Sequence, residues 1–538
     1  MMTESKLYSR SPRRREPISL QPADPVGEDG LAVIARAAAH GGSIAVDGTD
    51  GIWTYEDLLT SSAEMAKALL SGRSDLAEER VAYLVEPGGR FIATMWGIWR
   101  AGGVAVPLAL SHPPPELDHV VVDSGASIVV VDPDLRNRID EIATAHGAQV
   151  LEVTADHGRI EVNASKNSST ALPVVDESRR SLMIYTSGTT GRPKGAVHTH
   201  RGVRANIEIL IDAWGWRADD RVLLVLPLHH VHGLINVVGC AMWAGARCDA
   251  LARFDEVVTF RRISEGVLTV FMAVPTIYAR LTAVWDGASD ALRSRFSAGC
   301  RAMRLMVSGS AALPIPTLER WFDISGHTLL ERYGMTELGM VLSNPLEGER
   351  RPGRVGHPLP GIEVRLVDEE GDLVPMGVPG EIEVRGPNVF LEYWARPDAT
   401  ERAFRDGWFR TGDTAVCENG TYRILGRNSV DILKVGGFKV SALEIEDVLR
   451  GHVGVADCAI VGIPDDDLGQ RIAAAIVSVE GATVEANAIR EWARHQLASY
   501  KVPHMVMEVE SLPRNAMGKV IKPEVAGLFG SGVPRSSD

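Results

Sequence analysis

The sequence is organised around Thr186-Ser187-Gly188-Thr189-Thr190-Gly191-Arg192-Pro193-Lys194-Gly195, which follows the apolar, strand-like run 181–185. Glycines let backbone N–H groups turn toward an anion, because no side chain blocks its approach. The hydroxyls add hydrogen-bond donors and Lys194 adds a positive charge. The stretch is not a Walker loop, because Arg and Pro separate Gly191 from Lys194. It predicts a polyphosphate-binding loop followed by a helix near His200; the alternative is a flexible surface loop.

Length, charge and cysteine content narrow the class of protein. A chain of 538 residues exceeds one hydrophobic core, so we expect at least two domains. Asp plus Glu number 70 and Lys plus Arg 56, and this net charge of −14 disfavours a nucleic-acid-binding protein. The five cysteines form no C-x-x-C pair, which favours a reducing compartment: the cytoplasm, with the mitochondrial matrix as alternative. No run reaches the ~18 apolar residues of a membrane helix, so no membrane partner is expected.

A second polar segment follows the next strand-like run, 222–226. It reads Pro-Leu-His-His-Val-His-Gly and carries His230 and His232. The H-x-H spacing can ligate a metal, but the cysteines and acids that usually complete such a site are not nearby in sequence. The pattern therefore favours histidines packed together at the start of a helix.

Two motifs further along fit a nucleotide. V-S-G-S-A-A-L-P at 307–314 ends a strand in small residues, against which a flat ring can lie. In E-R-Y-G-M-T-E at 331–337, Tyr333 can stack on adenine. Thr336 offers a hydroxyl to phosphate, and Glu337 offers a hard oxygen ligand to Mg²⁺.

Three later residues complete the predicted site. Asp413 ends W-F-R-T-G-D and can accept hydrogen bonds from two ribose hydroxyls; the alternative is a turn-capping role. Arg427 is a second candidate contact for ribose or phosphate. Lys519, in L-P-R-N-A-M-G-K, lies on a Pro/Gly loop from which it can reach into a neighbouring domain.

These motifs, in this order, resemble those of the adenylate-forming superfamily, which includes acyl-CoA synthetases, adenylation domains of peptide synthetases and luciferases. They span residues 186–519, most of the chain. The resemblance implies an α/β fold: a large N-terminal domain of layered sheets and helices, plus a small, mobile α+β lid domain. The implied division is 1–25 as a disordered tail, 26–427 as the N-terminal domain, 428–525 as the lid and 526–538 as a second tail.

The resemblance also implies the chemistry. A carboxylate would attack the α-phosphate of ATP in the presence of Mg²⁺, and the resulting acyl-adenylate would pass its acyl group to CoA. Lys519, Glu337 and Thr336 would be catalytic, and Glu337 would be the metal ligand. Gly436 and Gly437 would bind the pantetheine arm of CoA. The implied ATP-binding residues are Thr186, Ser187, Gly188, Thr189, Thr190, Gly191, Arg192, Pro193, Lys194, Ser310, Glu331, Tyr333, Gly334, Thr336, Asp413, Arg427 and Lys519.

Arg332 is the residue that indicates which acid is activated. Many relatives have glycine at this position, so the arginine departs from the usual pattern. An arginine shortens the acyl pocket and offers a fork to a second carboxylate. With H-V-H-G and S-V-D-I-L-K-V-G-G-F-K-V, it resembles the malonyl-CoA synthetase group, which implies malonate, with methylmalonate as second candidate. We predict that Arg332, helped by His230 or His232, binds the distal carboxylate, and that Ser308 lines the same pocket. The alternative is that Arg332 pairs with a neighbouring acid such as Glu331 or has a purely structural packing role.

Other functions remain open at this point. A short- or medium-chain fatty acyl-CoA synthetase would require a pocket open past Arg332. A further alternative is an aminoacyl- or aryl-adenylating domain. The aminoacyl type is disfavoured because no Asp stands in the histidine segment, and a peptide synthetase is disfavoured because no carrier domain follows Lys519. A non-catalytic nucleotide-binding protein on the same fold is disfavoured by the intact Lys194 and Glu337. We expect only small-molecule partners: a carboxylate, ATP and CoA.

Overall fold

A computed structural model describes residues 30–156, 158–163, 171–186, 193–428, 430–435, 438–465, 468–482, 484–514 and 519–530. None of the helices in these ranges combines the length and the apolar character that crossing a bilayer requires. All five cysteines are free thiols.

Strands and helices alternate in the first part of the chain, because short apolar runs are separated by helices with clear start signals. Thr54 starts one helix with a reciprocal cap: Asp57 N donates to Thr54 Oγ1 at 3.1 Å, and Thr54 N donates to Asp57 at 2.8 Å. The elements are α1 Ala32–Ala38, β1 Ile44–Gly48, β2 Gly51–Thr54, α2 Tyr55–Leu70, β3 Arg80–Leu84, α3 Gly89–Arg100, β4 Val104–Pro107, α4 Pro114–Ser124, β5 Ile128–Val131, a 3₁₀ helix Pro133–Arg138, α5 Asp140–Ala145, β6 Gln149–Asp156 and β7 Arg159–Val162.

The glycine-rich motif connects two antiparallel strands in the chain. The sequence predicts that a helix follows the motif, whereas in the structure a second strand comes between the motif and that helix. Thr186 pairs with Lys194 at the loop end of this hairpin, and the predicted helix begins at His200, after the second strand. The elements are β8 Arg180–Thr186, β9 Lys194–Thr199, α6 His200–Trp214, β10 Arg221–Leu224, a π-helix His232–Gly239, α7 Cys240–Ala244, β11 Arg247–Ala250, α8 Glu256–Ser264, β12 Val270–Ala273, α9 Pro275–Gly287, α10 Asp290–Ala302, β13 Leu305–Ser308, α11 Ile315–Ser325, β14 Leu330–Met335 and β15 Gly339–Ser343.

The next part of the chain is mostly strand. Its longest hairpin brings Asp413 opposite Arg427. The elements are β16 His357–Pro358, β17 Glu363–Val367, β18 Gly380–Arg385, β19 Glu392–Tyr393, α12 Pro397–Ala403, β20 Phe404–Arg405, β21 Trp408–Glu418 and β22 Thr421–Arg427.

These strands form three sheets. The first sheet has the order β19-β9-β8-β4-β3-β5-β6-β7, and the second β16-β15-β14-β13-β12-β10-β11-β1-β2. Both are parallel in the middle and antiparallel at their edges. The third sheet, β17-β18-β21-β20 with β22 beside β21, is antiparallel. Parallel strands connected by helices confirm the predicted α/β class.

The first sheet is covered on both faces, which explains its continuous apolar strands. In β3, Val81 and Tyr83 pack into the large core that extends between the first two sheets. Ala82 and Leu84 point the other way, into a second core beneath α4. Successive side chains of a strand alternate between faces, so one short run serves both cores.

The C-terminal part has a sheet and cores of its own. One core lies between one face of the sheet and two helices, α13 (Ala442–Arg450) and α14 (Ala486–Gln496). The other lies between the opposite face and α15 (Lys522–Gly530). The helix α15 continues past residue 525, where the sequence predicts that the lid ends. The elements are β23 Ile432–Val435, β24 Phe438–Ser441, α13 Ala442–Arg450, β25 Val455–Asp465, β26 Gly469–Ser478, α14 Ala486–Gln496, a 3₁₀ helix Ser499–Lys501, β27 Met505–Glu508 and α15 Lys522–Gly530.

Lys522 of α15 forms ion pairs with two other segments of this C-terminal part. Its ammonium lies 2.6 Å from Asp431, which follows β22, and 2.8 Å from Glu446 of α13. Asp431 also accepts the backbone N–H of Arg427 at 3.0 Å. The lysine is almost completely buried, so removing it would leave two buried carboxylates without their cation.

We therefore predict that Lys522→Met lowers the free energy of unfolding of the C-terminal part by about 3–5 kcal/mol, because it breaks a buried charge network. Lys501→Met is the matched control: Lys501 pairs with Glu444, but that carboxylate is a third exposed, and the expected loss is below about 1 kcal/mol. Urea unfolding followed by intrinsic fluorescence measures both. Equal losses in the two variants would contradict the prediction.

Candidate active site

The two residues that flank the glycine-rich loop face each other at the end of the hairpin. Thr186 ends β8 and Lys194 begins β9, and the two are paired. The ammonium of Lys194 lies 5.2 Å from the centre of the Tyr393 ring. The predicted phosphate contacts Ser187, Gly188, Thr189, Thr190, Gly191 and Arg192, and the predicted CoA contacts Gly436 and Gly437, lie outside the described residues.

The predicted adenosine contacts meet between the second and third sheets. The Tyr333 hydroxyl donates to Asp413 at 2.5 Å, and Arg427 Nε lies 3.2 Å from the other oxygen of the same carboxylate. Asp413 is buried, and its backbone N–H donates to Thr411 at 3.1 Å. The carboxylate is thus held by its neighbours, and its remaining lone pairs can accept ribose hydroxyls.

The turn after Tyr333 requires a glycine. A Cβ atom on Gly334 would lie 1.9 Å from the carbonyl oxygen of Gly339, because β14 and β15 approach closely at a register shift. The turn places Thr336 and Glu337 at the end of the hairpin. His198 of β9 donates from Nε2 to the Thr336 carbonyl at 2.9 Å, which ties this turn to the first sheet. Burial lowers the pKa of His198 to about 4, so the ring is neutral.

Glu337 is suited to a hard cation. Its carboxylate is buried, and burial raises its pKa while a hydrogen bond from the Tyr393 hydroxyl at 2.7 Å opposes that rise. One accepted hydrogen bond leaves further lone pairs for a metal. Within the described ranges, no three His, Cys, Asp or Glu side chains are grouped so as to hold a metal ion. A single carboxylate nevertheless fits Mg²⁺, which is commonly held by one or two carboxylates and the substrate phosphates.

Lys519 comes from the C-terminal part and reaches this same region. Its ammonium lies within electrostatic reach of Arg427, Asp431 and Asp413. Partial burial and the neighbouring Arg427 lower the pKa of Lys519, while the two carboxylates oppose that effect. Positive charge from the C-terminal part thus lies near Asp413 of the third sheet, the carboxylate that the sequence predicts to contact ribose.

Glu331 and Arg332 are neighbours in sequence but do not pair. They lie next to each other on β14, so their side chains point to opposite faces. Glu331 accepts the backbone N–H of Gly353 at 3.0 Å, and burial raises its pKa to about 8. The alternative in which Glu331 neutralises Arg332 is therefore not the arrangement found.

Arg332 is buried beneath the small-residue turn after β13. A Cβ atom on Gly309 would lie 2.5 Å from the guanidinium carbon, so only glycine leaves room for this planar group. The guanidinium forms no ion pair with any described carboxylate, and its Nε has no hydrogen-bond partner. Burial lowers the pKa of Arg332 to about 9. Its contact is Ser310, to which it donates a long hydrogen bond of 3.5 Å.

Ser310 connects Arg332 to His232. It has a φ of +70°, an uncommon conformation for a residue with a side chain, and its Oγ lies 3.2 Å from His232 Nδ1. Burial and then the positive charge of Arg332 lower the pKa of His232 well below its usual range, so the ring is neutral. Its Nε2 is buried and has no hydrogen-bond partner among the described residues.

His232 lines a cavity of about 200 Å³ at the start of the π-helix. Arg332 is not part of the lining and reaches the cavity through Ser310 and His232. Arg280 of α9 does line it, with its guanidinium 5.9 Å from the centre of the Phe254 ring. Ser308 is fully buried at the end of β13, and its Oγ has no partner in the described part of the chain. The lining consists of Val225, Leu226, Pro227, His230, His232, Gly233, Phe254, Val274, Thr276, Ile277 and Arg280.

The histidine segment forms the packed cluster that the sequence favoured. The rings of His229 and His230 lie 4.1 Å apart, and His112 lies 5.5 Å from His229. Burial lowers the pKa of His230 to about 4. These rings are neutral at physiological pH and provide hydrogen-bonding groups rather than charge.

Three site residues were not identified from the sequence. Tyr393 lies in a strand of two residues, which is too short for a periodic signal. His198 lies in β9, which the sequence analysis did not recognise as a strand. Arg280 shares a helix face with Thr276 and Ile277 by the i, i+3 and i+4 spacing, but the spacing does not say that this face meets a cavity.

The adenylate-forming enzymes have two layered sheets and a small C-terminal sheet. A lysine of their C-terminal part reaches the side of the protein where the nucleotide binds. The chain belongs to this class: the family model described as AMP-binding enzyme matches residues 33–394. The model described as AMP-binding enzyme C-terminal domain matches residues 444–519.

Relatives of known activity cover nearly the whole chain. The mouse protein "Malonate--CoA ligase ACSF3, mitochondrial" is 44% identical, over 96% of this chain and 94% of the relative. The Arabidopsis thaliana "Malonate--CoA ligase" is 38% identical, over 92% of this chain and 87% of the relative. Among solved structures, ATP-bound MatB from Rhodopseudomonas palustris superposes with a TM-score of 0.83 at 35% identity, covering 93% of this chain and 99% of that chain.

The raised pKa of Glu331 predicts a pH-dependent stability. A protonated, buried carboxyl stabilises the fold at low pH, and this contribution is lost as the pH rises from about 4.5 to about 8. Glu331→Gln removes the ionisation, so the free energy of unfolding of wild type relative to this variant should fall by on the order of 2–4 kcal/mol between pH 5 and pH 8. Denaturant unfolding at several pH values measures the difference. A constant difference across that range would refute the assignment.

Proposed function

We propose that this chain is an ATP-dependent malonate–CoA ligase, which forms malonyl-adenylate and pyrophosphate and then transfers the malonyl group to CoA. The observation that carries the choice of acid is Arg332: its buried guanidinium has no carboxylate partner among the described residues and is connected through Ser310 to a histidine of the acyl cavity. Family membership and the names of the relatives support the same reaction.

The adenylation step brings two anions together, so its main requirement is positive charge. Lys194 and Lys519 approach from different domains and would screen the phosphates while the carboxylate of the acid attacks. Mg²⁺, bound by Glu337 and the phosphates, would neutralise further charge. Thr336 would donate its hydroxyl to a phosphate oxygen, and Tyr333, Asp413 and the backbone around Gly334 would hold the adenosine.

The distal carboxylate of malonate is the group that the cavity would recognise. His232 lines the cavity, and its Nδ1 lies 3.2 Å from Ser310 Oγ. Arg332 lies behind Ser310 and His232 and would contribute positive charge to this side of the cavity. Arg280 adds a second guanidinium at the lining itself, and His230 lies on the same wall. We infer that the acid lies among these groups, with Arg280 and His232 in direct contact and Arg332 behind them.

A small acid fits better than a fatty acid. The cavity of about 200 Å³ is below the range of 300–1,000 Å³ that is typical for larger organic ligands. Arg280, His230 and His232 also add polar groups to a wall that is otherwise mostly apolar, and such groups suit a short diacid. Methylmalonate, with one extra methyl group, stays a second candidate substrate.

We further infer that residues 428–525 act as a lid, so that Gly436 and Gly437 reach CoA after adenylation. The separate sheet and cores of the described C-terminal part support a unit that can rotate as a body. The free cysteines fit a reducing compartment, and the relatives named mitochondrial favour the matrix alternative.

The first test of this proposal is substrate choice. Wild-type protein with ATP, Mg²⁺ and CoA should form a thioester with malonate at a higher kcat/KM than with succinate, acetate or octanoate. Arg332→Gly should lower kcat/KM for malonate by about 10²-fold, because the positive charge behind His232 is removed, and should change the value for acetate much less. Arg280→Met should raise the KM for malonate. A coupled AMP-release assay measures all of these values.

Arg320→Met is the control for these variants, since Arg320 is an exposed arginine of α11 paired with Asp286. It should match wild type with every acid. Normal turnover of malonate by Arg332→Gly would show that the charge behind His232 does not select the substrate.

The second test concerns the lysine of the C-terminal part. Lys519→Ala should slow malonate-dependent pyrophosphate release by about 10²–10³-fold, the typical cost of removing one electrostatic stabiliser of a transition state. Lys501→Met, which changes another lysine of the same part, should leave the rate unchanged. A Lys519→Ala rate within tenfold of wild type would contradict the assigned role.

A further inference from the structure

Tyr393 contacts both charged groups that the proposed function assigns to the triphosphate and its metal. Its hydroxyl donates to Glu337 Oε1 at 2.7 Å. The ammonium of Lys194 lies 5.2 Å from the centre of its ring, within the reach of about 6 Å for a cation–π contact. Tyr393 lies outside the sequence motifs that predict the site.

Backbone pairing fixes Tyr393 beside Lys194. Tyr393 lies opposite Ala196 in the antiparallel pair of β19 and β9. The N–H groups of Leu391 and Trp394 donate to Val197 and Gly195, each at 2.8 Å. Lys194 is two residues before Ala196, so it projects from the same face of β9 and is a diagonal neighbour of the tyrosine.

The same segment is tied to Glu337 on its other side. Phe390 N donates to the Glu337 carbonyl at 2.7 Å. Asn388, which is fully buried, donates from Nδ2 to the carbonyl of Met340 at 3.1 Å and to that of Leu338. Residues 388–394, called the bridging segment below, therefore place one side chain between the first and second sheets.

Lys194 and Glu337 carry opposite charges, yet they form no ion pair in the described part of the chain. The tyrosine contacts each of them separately: its ring face attracts the ammonium, and its hydroxyl satisfies the carboxylate. A direct ion pair would neutralise the two groups that phosphate and metal need.

We propose that Tyr393 is a positioning residue that keeps Lys194 and Glu337 apart, so that Lys194 binds phosphate while Glu337 binds Mg²⁺. The inference rests on the proposed function, since that function assigns both groups to ATP. The hydroxyl and the ring have separable effects: the hydroxyl orients the metal ligand, and the ring holds the phosphate-binding ammonium.

Two variants separate these effects. Tyr393→Phe keeps the ring and loses the hydrogen bond to Glu337, so ATP binding in EDTA should stay within twofold of wild type. The Mg²⁺ concentration that gives half-maximal tightening of ATP binding should rise about tenfold or more, as for other partners of metal ligands. Tyr393→Leu should show the same metal effect and, in addition, weaken ATP binding in EDTA by about twofold to fivefold. Isothermal titration calorimetry measures both quantities without turnover.

Tyr55→Phe is the matched control, because it also removes a buried tyrosine hydroxyl, one that donates to Ala246 at 2.7 Å in another part of the core. It should lower thermal stability without changing the Mg²⁺ dependence. A wild-type Mg²⁺ dependence in Tyr393→Phe would overturn the proposal. A wild-type protein that binds ATP and Mg²⁺ but releases no pyrophosphate with malonate would instead refute the proposed function.

Discussion

The arrangement of the candidate site depends on the pairing between the bridging segment and β9. The two large sheets come from different parts of the chain, and each contributes one charged side chain, Lys194 from the first and Glu337 from the second. Backbone hydrogen bonds from residues 390–394 reach both sheets, and His198 adds a third tie to the Thr336 carbonyl. Because these bonds are to the backbone, the spacing of the two charges does not depend on flexible side chains alone.

The site also concentrates charge that its own residues do not neutralise. Arg332 is buried and has no acidic partner in the part of the chain that the structure describes, and burial keeps the histidines near it neutral. Burying an unpaired charge costs free energy, which the fold must supply. A bound dianionic acid would remove that penalty, because its second carboxylate provides the missing counter-charge. A dianionic acid would therefore be selected because its second carboxylate removes an electrostatic penalty that the protein already has before the acid binds.

Much of the site could be predicted from the sequence, because its groups lie in short motifs with fixed spacing. Tyr333, Gly334 and Glu337 are within five residues of each other, and the close approach at Gly334 explains why that motif contains glycine. Contacts between distant segments could not be predicted in this way. Nothing in the order of residues says that Tyr393 lies beside Lys194, or that Arg280 reaches the cavity that Arg332 was expected to line. The strand β9 was missed because Lys194-Gly195-Ala196 lacks the β-branched, alternating pattern of an isolated strand.

The central claim is that cationic and metal-binding groups from separate sheets, together with Lys519 from the C-terminal part, surround one triphosphate. A crystal structure with Mg²⁺ and a non-hydrolysable ATP analogue tests it most directly. The account predicts phosphate oxygens within hydrogen-bond distance of Lys194, a metal ion bound to Glu337 and the ribose hydroxyls on Asp413. A triphosphate that lies away from the Thr186–Lys194 end of the hairpin, with Glu337 free of metal, would contradict it.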